Sequence, residues 1–90
     1  IDSEIVDVMN YADAIGYFST NRPMNPDIAK GAMLLDTDRD RKIFFQVFLN
    51  DKNEISRDSK GRYCGRRLII KAMDSELEAL FDGQNLVIVE

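Results

Sequence analysis

The sequence predicts a small α+β domain, a single unit over residues 1–90, with a mainly antiparallel sheet of about four strands, an N-terminal helix and a C-terminal β-α-β unit. Three observations carry this expectation. Ninety residues with 44% apolar and 31% charged side chains leave room for one hydrophobic core. The apolar spacing changes along the chain from helical to alternating, then back through a helix to a last apolar run. Turn residues punctuate each change, at Ser19–Pro23, Asp36–Asp40, Asn50–Asn53 and Asp82–Gly83.

From Ser3 to Phe18, apolar side chains at Ile5, Val8, Met9, Ala12, Ile15 and Phe18 follow the spacing of one helical stripe. Asp2 or Ser3 is the expected cap, and the residues before Pro23 end the helix, because a proline pushes its predecessor out of helical geometry. Asn25-Pro26-Asp27 reads as a second helix start, so a turn or two of helix is expected over Pro26–Lys30, with Gly31 as its stop. Ala32–Leu35 and Lys42–Leu49 then form a β-hairpin around a polar turn. In the longer strand Ile43, Phe45, Val47 and Leu49 make a wholly apolar face, assigned to the core, whereas Phe44, Gln46 and Phe48 make a mixed one.

Glu54–Arg57 is expected to pair briefly before a polar stretch, and Arg67–Met73 has a strand's composition. Ser75 and Glu78 form a capping box, Leu77, Leu80 and Phe81 supply a helical stripe, and Leu86–Val89, apolar on both faces, reads as a covered or central strand. The last unit is either a crossover that leaves its two strands parallel or a helix folded across the sheet end.

Charge is uneven. The net charge is −4, yet residues 31–73 carry ten bases against six acids, and residues 74–90 carry five acids and no base. The densest basic stretch supplies the candidate binding residues Arg57, Lys60, Arg62, Tyr63, Arg66, Arg67 and Lys71. A solvated face is the commoner use of such a run, and an anion-binding patch is the functional one.

Most catalytic and metal chemistries lack their parts. The chain has no His, the commonest general base and metal ligand, and no Trp. Asp36–Asp40 resembles the opening of a calcium loop, but Arg41 and Val47 stand where that loop needs Gly and a bidentate Glu, so a charged hairpin turn is expected. Cys64 lies among Arg62, Arg66 and Arg67, whose charge would favour the thiolate, but without a His base it is read as a structural thiol. Gly61 and Gly65 build no phosphate loop. Lys42–Leu49 falls short of the central motif of RNA-recognition domains, since Ile43 and Phe45 replace small residues and Gln46 an aromatic one. Phe44 and Phe48 are accordingly expected in core or helix-covered packing.

The function expected is therefore non-enzymatic: an interaction module, such as a subunit, adaptor or small inhibitor of viral or mobile-element type, that binds a protein partner without cofactor or metal. Nucleic-acid binding through residues 57–71 is the alternative. One cysteine and no apolar run near the ~20 residues of a membrane span make a cytoplasmic protein with no membrane partner the expectation. Ile1 without an initiator Met suggests a processed chain or a piece of a longer product.

Overall fold

The computed structural model describes residues 3–24, 26–58 and 60–89, in the order β1 (Ser3–Met9), α1 (Tyr11–Thr20), β2 (Lys30–Asp38), β3 (Arg41–Leu49), β4 (Gly65–Met73), α2 (Ser75–Phe81) and β5 (Leu86–Val89). These strands form one five-stranded mixed sheet in the order β1-β4-β3-β2-β5. β1 runs parallel to β4, and the other neighbouring pairs are antiparallel. It follows that β1 and β2 are parallel, joined by α1 across two intervening strands, and that β4 and β5 are antiparallel. The parallel crossover therefore lies at the N-terminal end of the chain, and the C-terminal unit is the folded-over alternative. No helix among the described residues is long and apolar enough to cross a membrane.

The N-terminal helix is shorter than its periodicity implied. Ser3–Met9 is a strand, in keeping with the β-branched Ile5, Val6 and Val8, and Asn10 breaks the chain between strand and helix. Asn10 Oδ1 accepts the Asp13 N–H at 2.7 Å and caps α1, whose Ala14 and Phe18 are buried. The proposed cap at Asp2 lies outside the described residues, as does that at Asn25. Pro26 and Asp27 form a turn rather than a helix. Ile28 is buried there, the Ala29 N–H reaches Leu49 O at 2.9 Å, and Arg22 Nη2 donates to Ile28 O at 2.6 Å, so the approach to β2 is held extended.

α2 is capped one residue earlier than the capping box suggested. Asp74 Oδ1 accepts the Leu77 N–H at 2.8 Å. Its other oxygen, Oδ2, accepts the Tyr11 N–H of α1 at 2.9 Å, and the Asp74 N–H reaches Met9 O at 3.0 Å. One carboxylate thus serves the positive ends of both helices, which the parallel β1/β4 pair delivers to the same end of the sheet.

Both helices cover one face, and it is the mixed one. Phe44, Gln46 and Phe48 are buried beneath them: Phe48 meets Phe18 edge-on at 5.5 Å between ring centroids, and Phe44 meets Phe81 at 6.2 Å. Gln46 tolerates this position because both ends of its amide are used. Its Nε2 donates to Ala14 O at 2.7 Å and its Oε1 accepts from Arg66 Nε at 2.6 Å. On the wholly apolar face, which was assigned to the core, Ile43, Val47 and Leu49 are indeed buried, the last two in a second cluster with Ala32, and the assignment is corrected at Phe45, which is only half-buried on the face without helices. β5 is also corrected, from a covered or central strand to a sheet edge, with Leu86 and Ile88 exposed.

Two glycines are required by close approach. A Cβ on Gly31 would meet the Phe18 ring that packs on β2. One on Gly65 would drive into Gln46 O and come within 2.9 Å of Val47 Cα, where the chain re-enters the sheet at a positive φ of 154°.

Replacing Asp74 by Ala is expected to cost roughly 2 to 3 kcal/mol, more than one ordinary cap, because two helix N–H groups lose a charged acceptor. Asp74→Asn should recover about half, since its amide oxygen can still accept one of them. Urea melts of the three proteins measure this. On β3, Phe44→Ala should cost about 3 to 5 kcal/mol and Phe45→Ala under about 2 kcal/mol in dilute solution, a contrast that follows from which face the helices cover.

Candidate functional site

The basic segment does not form one patch. Its first four members share an exposed loop between β3 and β4, closed by isolated bridges at Leu49–Ile55 and Arg57–Tyr63. Arg57 stacks over the Tyr63 ring, 4.2 Å from guanidinium carbon to centroid, and its Nη2 donates to Tyr63 Oη at 2.7 Å. Asp58 organises the tip. Its Oδ1 accepts the N–H groups of Lys60 and Arg62 at 2.9 and 3.0 Å, and its Oδ2 pairs with Arg62 Nε at 3.2 Å. The Arg62 backbone N–H is the largest influence holding the Asp58 carboxyl below its ordinary pKa.

Once the chain enters β4, alternation separates the remaining residues. Arg66 points to the helix side and lies over the Tyr17 ring at 4.2 Å, whereas Arg67 points to the opposite side beside Phe45. Lys71 stands further along β4 and pairs with Asp7 of β1 at 3.3 Å. Arg66 and Tyr17 wall a cleft of about 400 Å³ between α1, β1 and β4, together with Glu4, Asp13 and Thr20. Burial raises the Tyr17 phenol and lowers the Arg66 guanidinium from their ordinary values. With Arg66 already bonded to Gln46 and stacked on Tyr17, and with Glu4 and Asp13 alongside, the cleft is poorly suited to an anion.

Cys64 belongs to the core. It is 7% exposed, next to Gly65 at the start of β4, and burial pushes its thiol up from the ordinary value, with Asp58 acting in the same direction. The neighbouring arginines are engaged elsewhere, Arg62 with Asp58 and Arg66 over Tyr17, and the buried position fits the reading of Cys64 as a structural thiol. Asp36–Asp40 closes the β2/β3 hairpin, with Arg41 Nη2 3.7 Å from Asp38 Oδ2, and Arg39 takes the positive φ of 58° that the tight turn needs. Among the described residues, no three acids or cysteines are grouped to hold a metal ion.

The surface that sequence reasoning missed is the uncovered side of the sheet. Register places Ile5, Ile69, Ile43 and Asp36 in one row across it, Arg67, Phe45, Leu34 and Leu86 in the next, and Val47, Ala32 and Ile88 in a third. Ile5 is 71% exposed, Leu86 48% and Ile88 42%, so the field stays open toward both sheet edges. At one end it meets a charged row in which Asp7 pairs with Lys71 and Asp38 with Arg41. An apolar centre with a polar border is the anatomy of a protein–protein interface. The signal was present in the alternation of Ile43, Phe45, Val47 and Leu49, which indicates a face that avoids water but not what covers it. Neither a family model nor a curated protein nor a solved structure matches this chain.

Because burial disfavours its thiolate, Cys64 should react with a disulfide reagent at pH 8 at least roughly tenfold more slowly in the native protein than in denaturant. Stopped-flow absorbance measures both rates, and equal rates would place the thiol at the surface.

Proposed function

We propose that the chain is a non-catalytic interaction module, a subunit, adaptor or small inhibitor, that binds a protein partner through the open face of its sheet. The observation that supports this reading is the apolar field around Phe45 and Leu34, which neither α1 nor α2 covers. The part of it open to solvent lies toward the sheet edges, at Ile5, Leu86 and Ile88, with Phe45, Leu34 and Ile69 half-buried between them and Ala32, Ile43 and Val47 already buried. Such patches commonly serve binding, because burying them removes apolar surface from water at about 25 cal/mol per Å². The interior position of Cys64, the only thiol of a chain without His, supports the non-catalytic half of the proposal. A cytoplasmic location belongs to the same proposal and draws on that unpaired cysteine.

Nucleic-acid binding is the second reading, favoured by the exposure of Arg57, Lys60, Arg62 and Tyr63 on one loop. Counting against it, Asp58 pairs with Arg62, Arg57 occupies the Tyr63 ring, and Arg66 and Arg67 lie on opposite faces of the sheet.

The test compares capture of bound protein by the wild-type chain and by variants of each surface. Phe45→Lys, or Ile88→Lys at the more exposed edge, should retain the native circular dichroism spectrum and lose at least roughly 90% of the captured partner, while Arg62→Glu should retain it. Loss in Arg62→Glu alone, with nucleic acid eluting from the wild type as salt is raised, would reverse the order of the two readings.

A further inference from the structure

We propose that the free edge of β1, together with the cleft between β1 and α1, takes up an extended segment of a partner protein as a sixth strand, one in which basic residues alternate with small apolar ones. This site lies on the helix side of the sheet and at its edge, so it is a second docking surface and does not depend on the open-face field.

β1 ends the sheet on one side, seven residues long and paired with β4 alone among the described strands. Its outer side presents unpaired N–H and C=O groups, the template on which another strand adds. What distinguishes this edge is the space beside it. α1 leans toward the middle of the sheet, where Ala14 O receives the Gln46 amide and the Phe18 ring closes over Gly31 of β2. Val8, on the helix side of β1, is consequently 53% exposed. The cleft left there, about 400 Å³, has Val6, Val8 and Leu68 as its floor and Asp13, Gly16 and Tyr17 of α1 as its far wall. That volume is within the range of ligand sites, and a strand added to β1 sends every second side chain into it. At Gly16 the helix leaves open space, with nothing within 4 Å of the place a Cβ would take. The other edge, β5, offers a ladder of four residues, and the hollow of about 220 Å³ that Val89 borders is lined by Arg22 and Lys30.

Charge identifies the occupant. Glu4 of β1 and Asp13 of α1 stand on the two sides of the cleft with Arg66 between them, so the lining carries two negative charges and one positive. The positive one is committed, because Arg66 Nε donates to Gln46 Oε1 at 2.6 Å and its guanidinium covers the Tyr17 ring. Asp7 places a further carboxylate on the other face of β1, 3.3 Å from Lys71. A second copy of β1 is therefore a poor occupant: pairing two such edges sets the Glu4 and Asp7 carboxylates of both copies along one ladder, and like charges on neighbouring strands destabilise the pair. A strand with Lys or Arg at alternate positions meets Glu4 and Asp13 instead. Its apolar residues then lie beside Ile5 on the open face, and a slip of one residue brings them beside Val6 and Val8 in the cleft. The net charge of −4 draws the same kind of segment toward the chain.

The probe is a fluorescein-labelled hexapeptide in which Lys and Val alternate, titrated by anisotropy with the chain up to about 1 mM. Either set of its side chains can enter the cleft by a slip of one residue, so the register need not be known beforehand. Binding should saturate in that range, and in an isotope-labelled chain the largest amide shifts should fall on β1. Gly16→Leu fills the cleft while favouring the helix, and Glu4→Lys reverses its charge; each should weaken binding at least roughly tenfold with the circular dichroism spectrum and urea midpoint retained. Glu76→Lys on the exposed start of α2 makes the same change in net charge and should stay within about twofold of the wild type. Methylating every peptide amide nitrogen, which keeps the side chains and removes the backbone donors, should abolish binding. Exchanging Lys for Glu in the peptide should do the same. Absence of saturation by about 1 mM, or amide shifts centred on β5, would overturn the site. Binding that survives full methylation would overturn the added strand, and equal losses in Glu4→Lys and Glu76→Lys would overturn the cleft as the origin of the charge preference.

Discussion

The Asp74 carboxylate joins the two halves of this fold. β1 and β4 are parallel neighbours, so the helices that follow them begin at the same end of the sheet, and two sets of unpaired N–H groups converge there. Asp74 meets one with each oxygen, toward Leu77 in α2 and Tyr11 in α1, while its own N–H returns to Met9. The junction of β1 and α1 and the start of α2, far apart in sequence, are tied at one residue. Two like-oriented helix ends would otherwise repel, and a negative charge between them converts that repulsion into attraction.

From that junction both helices cross the sheet in the same direction, α1 from β1 toward β2 and α2 from β4 toward β5. They lie on the same face and bury Phe44, Gln46 and Phe48. Gln46 shows why a polar side chain serves at the centre. Bonded to Ala14 O on one side and to Arg66 on the other, it fixes α1 against the sheet and leaves neither end of the amide unsatisfied. Arg66 is then held between Gln46 and the Tyr17 ring, as a structural strut. The opposite face has no helix over it among the described residues.

The same alternation determines the fate of the basic segment. Six bases and a tyrosine between Arg57 and Lys71 look like one cluster in a linear reading, but a strand sends consecutive residues to opposite sides. Arg66 and Arg67 are adjacent in the chain and on opposite faces of the sheet, and Lys71 stands apart, paired with Asp7. Only the loop members remain together, and their charge is partly engaged by Asp58 and Tyr63. The segment carries the density of positive charge that the sequence implies without its continuity.

What the sequence determined by itself was local: the α+β class, the β2/β3 hairpin, a strand ending near Met73, a helix through Leu77 and Phe81, and the pattern of β3. These follow from periodicity, turn chemistry and capping side chains within a few residues of one another. The tertiary structure decided what depends on distant partners. Ile5, Val8 and Met9 match a helical stripe, yet β1 forms because β4 offers it a ladder and Asn10 starts the helix afterwards. Leu86–Val89 is apolar throughout, yet it is an edge, because among the described strands it pairs with β2 alone. Which face of β3 is covered was beyond any count of apolar residues. Apolar alternation measures a preference to leave water, whereas the covered face is chosen by where two connections run and by whether Gln46 finds partners for its amide.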